Sequence, residues 1–482
     1  MKSRRKAPGS SLLAESFTWR AAGGVLAAWR ESALYSLFNG EWAKNSACGK
    51  AINGLLERLE GSLPAGKTAA GPQNFLRRAA AAAGDILFPL ILLFLPFLRF
   101  RTALGLVVLA AVLVLTQKDN LRWPRLGVYV PLALFLLIQF YAAVTSVSLA
   151  TSGSDFLIVA ACFLFLFSLA GAADGPGKLD NLLRALALGV FMVAGYAVYV
   201  YYTGVPVTEL GKIWIDPNTN PEVKNRAYAV FGNPNLLAHY VVLTFPLLLG
   251  ALFNARRLAE RVFFLAAAAL GAFCLVLTFS RGGWLGFAAA VCVFAVARSR
   301  FLLFALPPAG VFLSFFLPPA VTQRLGNITN LKDASYLYRL DVWSSTLHLI
   351  RDFWLTGVGL GWRAFTRVYY TYMQNSAVIP HAHNLFLQLQ SELGILGPVV
   401  FLWLFVYFFR LGWSLRRQPQ GYVRNLSAGA CGALAGFFVH SFVDYTLWHY
   451  VLAVLYWFLP AVLILLVKFS QGEEEQVENG KV

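Results

Sequence analysis

From about residue 80 to residue 467, long apolar runs alternate with short polar breaks. A helix rises 1.5 Å per residue and the hydrocarbon core of a bilayer is about 30 Å thick, so about 20 apolar residues suffice to cross it. Twelve such runs can be drawn, at roughly 80–98, 102–116, 126–147, 153–172, 182–203, 235–253, 261–279, 282–297, 301–320, 389–410, 425–443 and 449–467. The pattern predicts an all-α polytopic membrane protein with about 12 transmembrane helices. The first two runs are short and separated only by Arg99-Phe100-Arg101, so they read equally as one bent span with an interfacial piece. Two polar stretches are long, about 204–234 and about 321–383. Within the second, the spacing of Tyr338, Val342, Trp343, Leu347 and Ile350 predicts an amphipathic helix over about 335–352, followed by a glycine-rich turn, GVGLGW, at 357–362.

Composition agrees with this pattern. Of 482 residues, 58% are hydrophobic and only 13% charged, and the mean hydropathy is +0.62. A soluble chain usually carries about a quarter charged residues, so an ordinary soluble enzyme and a disordered protein are both excluded. The net charge of +17 is unevenly spread. Lys118, Arg122, Arg125, Lys178, Arg184, Arg256, Arg257, Arg261, Arg298, Arg300, Arg410, Arg416, Arg417 and Arg424 fall in alternate loops. The loops between them, 145–155 and 444–448, hold neither Lys nor Arg. The positive-inside rule puts the basic set in the cytoplasm, with both termini inside and the two long loops outside.

Three regions follow: a basic segment at 1–84, a transmembrane domain at 85–470 and an acidic tail at 471–482. The first carries 12 Lys+Arg and 5 Glu, with Trp19, Leu26, Trp29, Leu37, Phe38 and Trp42 interleaved. It reads as helices on an anionic inner leaflet or as a partly disordered tail. Of the five Cys, Cys162, Cys274, Cys292 and Cys431 lie in apolar runs and read as small core residues.

Polar groups at membrane depth are costly and mark function. Four features fall at the outer face: Arg226 before GNPN, Arg281 in the SRGG tip between two spans, Arg339 on the amphipathic helix, and His381-Ala382-His383-Asn384 where the long loop re-enters the membrane. Any one Arg can simply snorkel to lipid phosphates. Asn233 and Asn235 either bind a polar ligand or make the turn and N-cap around Pro234. His381 and His383 could grip zinc, but Glu392 is the next acidic residue and lies about two helical turns on, so no metal is expected. Asp444 and His449 are weaker candidates, and His239, His348 and His440 fit no pattern. Three Arg and one His at headgroup depth suit a phosphorylated lipid. Arg presents a rigid donor fork to phosphate, can stabilise charge on a departing diphosphate as a metal would, and His can accept a proton near neutral pH.

FGNPNLLAHY, FSRGGWLGF, YRLDVWSSTLHLIRDFWLTGVGLGWRAF and HNLFLQLQSELGILG together resemble the O-antigen ligase / O-antigen polymerase-like superfamily of WaaL- and Wzy-type membrane proteins. The likeness covers roughly 85–467. Its most specific element is His383-Asn384, nine residues, then Gly394-x-x-Gly397. The resemblance implies a GT-C-like architecture and a metal-independent glycosyltransferase with no cofactor. The donor would be a glycan on undecaprenyl diphosphate and the acceptor a hydroxyl on a lipid, glycan or protein, with membrane lipids but no nucleic acid as further partners. It implies that His383 is the base or its close partner, that Arg281, Arg339 and Arg226 bind the diphosphate, and that Asn384, Gly394 and Gly397 shape the His-bearing helix. A transporter or flippase is the alternative, to be told apart by depth: site residues at the outer edge favour transfer, a polar track through the midplane favours transport.

Overall fold

The computed structural model describes residues 86–115, 124, 126–172, 175–204, 225–315, 319–326, 334–374, 379–419 and 421–478. The basic segment at 1–84, Arg122, Lys118 and most of the 204–234 loop lie outside the described residues, as do the last four residues of the acidic tail. Among the described residues the chain is helical, with no strand.

Each predicted run contains a helix. The order is α1 (Ile86–Phe97), α2 (Phe100–Leu115), α3 (Tyr129–Val144), α4 (Leu149–Ala172), α5 (Pro176–Thr203), α6 (Pro234–Asn254), α7 (Leu258–Leu277), α8 (Arg281–Arg298) and α9 (Leu302–Ser314). Then come α10 (Pro319–Gly326), α11 (Ala334–Asp352), α12 (Trp362–Tyr372), α13 (Leu385–Leu393), α14 (Leu396–Leu415), α15 (Gly421–His440) and α16 (Tyr450–Glu478). Seven of these, α4 to α8, α14 and α16, are long and apolar enough to cross a bilayer, while α1, α2, α3 and α9 are apolar but shorter. The chain is a polytopic membrane protein.

The first hairpin is two helices, as the two runs drawn there expect, with α1 ending in a 3-10 turn at Leu95–Phe97 around Pro96. Several boundaries differ from the sequence reading. The run at 301–320 is not one helix: α9 stops at Ser314 and α10 starts at Pro319. The run at 389–410 is broken at Gly394, whose φ of +68° ends α13 before α14 begins. On α11 the buried stripe is Val342, Ser345, Thr346 and Leu349, whereas Leu347 is 54% exposed. Cys292 is exposed on α8, not a core residue.

The bundle is organised by close backbone approach. Apolar side chains gain little by leaving lipid for protein, so small residues that let helices meet supply the contact. On α15, a Cβ added at Gly429, Gly432 or Gly436 would sit 2.7, 2.7 and 2.8 Å from the carbonyl oxygens of Pro246, Ala290 and Gly286. These glycines thread α15 between α6 and α8, with which it makes extensive contact. Almost every residue from Val451 to Leu466 of α16 is buried, against α4, α6, α14 and α15. The crossing brings the starts of α6, α8 and α16 and the end of α15 to one end of the bundle. The opposite end holds the basic short loops, for example Arg184 paired with Glu260 at 2.7 Å.

Candidate active site

The SRGG tip is a helix start under compression. Ser280 caps α8, its Oγ accepting the Gly283 N–H at 3.2 Å and donating to Asn235 Oδ1 at 2.8 Å. A Cβ at Gly283 would lie 2.6 Å from Ala238 of α6, and one at Gly282 2.5 Å from Val443 beyond α15. The two glycines therefore press the start of α8 against both neighbours, and Arg281 emerges there. Its guanidinium donates to Ser335 Oγ on α11 at 2.8 Å.

Arg339, one turn further along α11, donates to the Ser335 carbonyl at 3.0 Å and to the Val443 carbonyl at 2.9 Å. Arg226 donates to the Thr278 carbonyl at 2.7 Å and to Asn235 Oδ1 at 3.4 Å. Its pKa is pushed down to about 9, first by burial and then by the charges of Arg324, Arg339 and Arg281, with Asp444 partly offsetting them. The three predicted arginines thus converge on one end of the bundle, and Arg324 of α10 joins them.

The histidine lies on the same end. His383 is not in the first turn of a helix; it precedes Asn384, which caps α13 by accepting the N–H groups of Phe386 and Leu387. His383 has φ +48°, a left-handed conformation that costs a residue with a Cβ about 1 kcal/mol or more. Asn384 Nδ2 donates to the Phe442 carbonyl at 2.9 Å, and the Leu385 N–H to that of Ser441 at 2.9 Å. These bonds clamp the turn to the 441–449 loop and place His383 Nδ1 3.2 Å from Asp444 Oδ1.

Asp444 is almost fully buried and also accepts the Tyr445 N–H at 2.8 Å. Burial alone would raise its pKa, but the hydrogen bond from His383 and the charges of His383, His381 and Arg339 hold the carboxyl well below the usual carboxylate range. An ionised carboxylate can only accept, so Nδ1 of His383 is the donor of this pair. His381, buried at 4.3 Å between ring centroids from His383, has its pKa lowered to about 3 by burial, then by His383, with Asp444 opposing. Its neutral Nδ1 accepts the His383 N–H at 3.3 Å.

Asp444 is what sequence reasoning undervalued. It sits 61 residues from His383 in a loop that carries no motif. The only available signal was an acid in an outer loop beside an aromatic run. Asp444 also supplies the third ligand whose lack counted against a metal, since His381, His383 and Asp444 offer ligand atoms within 4.8 Å of one another. Those atoms are already engaged, His381 Nδ1 accepting the His383 backbone N–H and Asp444 Oδ1 pairing with His383 Nδ1 and the Tyr445 N–H, and the surrounding guanidinium groups favour an anion over another cation. Asn233 is a cap for α6, accepting the Asn235 N–H, while Asn235 is the one that meets Arg226 and Ser280. Gly394 closes α13, and a Cβ at Gly397 would lie 2.6 Å from Leu393 Cβ, so both glycines seat α13, the short helix that follows His383, on α14. His449 packs against Phe231 and Tyr450, and His348 is exposed on α11; neither joins the cluster.

Fold and site together define a polytopic membrane protein with an arginine-rich cluster that carries a histidine–aspartate pair at one end of its bundle. Residues 266–402 match the family model described as O-antigen ligase. Among curated proteins, the chain is similar to an O-antigen ligase of Pseudomonas aeruginosa, 25% identical over 261 residues. That alignment covers 53% of this chain and 57% of the relative, so the chain matches little more than half of that protein's length. Over those stretches the chain is similar to O-antigen ligases.

Proposed function

We propose that the protein is a metal-independent glycosyltransferase of surface-polysaccharide synthesis. It moves a glycan from undecaprenyl diphosphate to an acceptor hydroxyl at the outer face of the inner membrane. The observation that carries this reading is the convergence of Arg226, Arg281 and Arg339 with the His383–Asp444 pair on one end of the bundle. The acceptor O–H gives its proton to His383 Nε2 as its oxygen forms a bond to the anomeric carbon. The bond from that carbon to the diphosphate oxygen breaks, and its electron pair leaves with the lipid diphosphate. The anomeric configuration inverts. Asp444 stabilises the imidazolium that forms, and the guanidinium forks take the charge building on the diphosphate. The polyprenyl tail stays in the bilayer, which delivers the headgroup at this depth.

The cluster is built from helix ends and loops, at the end opposite the basic short loops. This supports transfer over transport, and it supports a site facing away from the cytoplasm with both termini inside. The test is transfer by purified protein in nanodiscs, from an undecaprenyl-diphosphate glycan to the acceptor of its own cell. His383→Ala should fold normally and lose transfer by about 10²-fold or more, and EDTA should leave the wild-type rate unchanged. Full transfer by His383→Ala removes that residue from the mechanism. Strong inhibition by EDTA assigns His381, His383 and Asp444 to a metal instead.

A further inference from the structure

A buried chain of side chains outside the cluster reaches the peptide between the two histidines. The Ala382 N–H donates to Gln388 Oε1 at 2.6 Å, and Gln388 Nε2 donates to Glu392 Oε1 at 2.7 Å. Ala382, Gln388 and Glu392 are all at most 1% exposed. The carboxyl of Glu392 also accepts the backbone N–H of Gly361. The main chain of the same turn is paired with the glycine-rich loop: the Val358 N–H donates to the Ser391 carbonyl at 2.8 Å and the Gly359 N–H to that of Glu392 at 3.2 Å. That loop is held in turn by α3 and α4, through the Leu360 N–H on the Ala142 carbonyl at 3.2 Å and Ser152 Oγ on the Leu360 carbonyl at 2.5 Å. Gly357, Gly359 and Gly361 all have positive φ, so the loop follows a path open to few other residues.

A carboxamide can face either way, and here its direction matters. A glutamine whose NH₂ faced Ala382 would set donor against donor and leave a buried N–H unmade. Burial pushes the Glu392 carboxyl up to about 7, but ionised or neutral it offers an accepting oxygen, so it draws the NH₂ of Gln388 to itself and leaves Gln388 Oε1 for Ala382. We infer that Gln388 and Glu392 are positioning residues for the proposed transfer: their fixed donor–acceptor order holds the left-handed His383 turn so that its imidazole lies on Asp444. Neither residue touches the reacting groups. The inference rests on the reading of His383 above and adds two residues to it.

The order can be reversed on paper. In Gln388→Glu combined with Glu392→Gln, the new carboxylate accepts from Ala382 and from the new amide, whose oxygen accepts from Gly361, so every group is satisfied again. Gln388→Glu alone brings two buried carboxyls together, and Gln388→Leu leaves the Ala382 N–H unmade. The experiment compares kcat and the KM for the lipid-linked donor in wild type, both single variants, the double variant and His383→Ala, each normalised to folded protein. The expected result is a kcat loss of about tenfold or more in each single variant with KM within about twofold, and recovery to within about threefold of wild type in the double. Wild-type kcat in both single variants, with His383→Ala inactive, overturns the inference while leaving the site intact. A double variant that is folded but as slow as the singles, or that fails to fold, also overturns it, because its reciprocal pattern satisfies every group named. If the singles fail to fold, the double variant alone decides. An active His383→Ala sinks the site reading, and this inference with it.

Discussion

Both ends of the bundle are rich in arginine, and they use it differently. At the end that carries the short basic loops, Arg256, Arg257, Arg300, Arg410 and Arg417 are exposed. Arg298 and Arg416 lie over the rings of Phe253 and Trp413 at 5.2 and 4.3 Å. These are side chains that rest on apolar or aromatic surface with the charge turned to water or headgroups. At the other end, Arg226, Arg281 and Arg339 are half-buried, donate to carbonyls and a hydroxyl of three separate chain segments, and lie close enough for their charges to act on one another. Holding like charges together opposes folding, so the scaffold must supply that arrangement. The glycine contacts of α6, α8 and α15 do so. Concentrated positive charge of this kind is what a diphosphate would use, and dispersed arginine is what orientation in a membrane would use.

The comparison can be broken at its strongest point first. Arg281→Lys and Arg339→Lys keep the charge and lose the fork. Each should cut the transfer rate by about 10²-fold, read as kcat with the lipid-linked donor. Near-normal rates would mean that only long-range charge matters there.

Asp444→Asn should slow transfer by about tenfold or more, because the imidazolium loses its partner. It also has a signature in stability. Asp444 is held below its ordinary pKa by folding, so its contribution is fully present above the usual carboxylate range, about pH 4, and is lost as pH falls through its own folded value. Thermal unfolding of the wild type should therefore weaken on acidification below about pH 4, and Asp444→Asn should flatten that fall. A smaller effect is expected from Gly436→Ala, whose Cβ would lie 2.6 Å from Val242 and 2.8 Å from the Gly286 carbonyl. It should cost about 1–3 kcal/mol in unfolding measurements. The smallest belongs to the opposite end: Arg300→Ala should change stability by no more than about 0.5 kcal/mol and leave transfer unaltered.

The spans are legible in the sequence because a long apolar run has few solutions in a bilayer other than a helix. Their interruptions are less so. Gly394 is legible as part of the His-Asn to Gly-x-x-Gly pattern, but not as the break whose positive φ separates α13 from α14. Likewise the face of α11 is set by what α12 and α13 cover: of the predicted stripe, Val342 is buried while Leu347 points outward. Of the site, Arg226, Arg281, Arg339 and His383 are legible as polar residues at the ends of apolar runs. Asp444 is not, since its role depends on a contact with His383 across 61 residues of chain, and Gln388 and Glu392 look like ordinary polar positions on a helix. Pairings across the fold, not residue types, carry that information.

The most direct test of the central claim is binding of a short-chain polyprenyl diphosphate to the protein in nanodiscs, measured in parallel for wild type, Arg281→Lys and Arg298→Lys. The account predicts that Arg281→Lys weakens binding by about tenfold or more while Arg298→Lys binds as wild type does. Equal affinities in all three, or equal losses in the two variants, would contradict it.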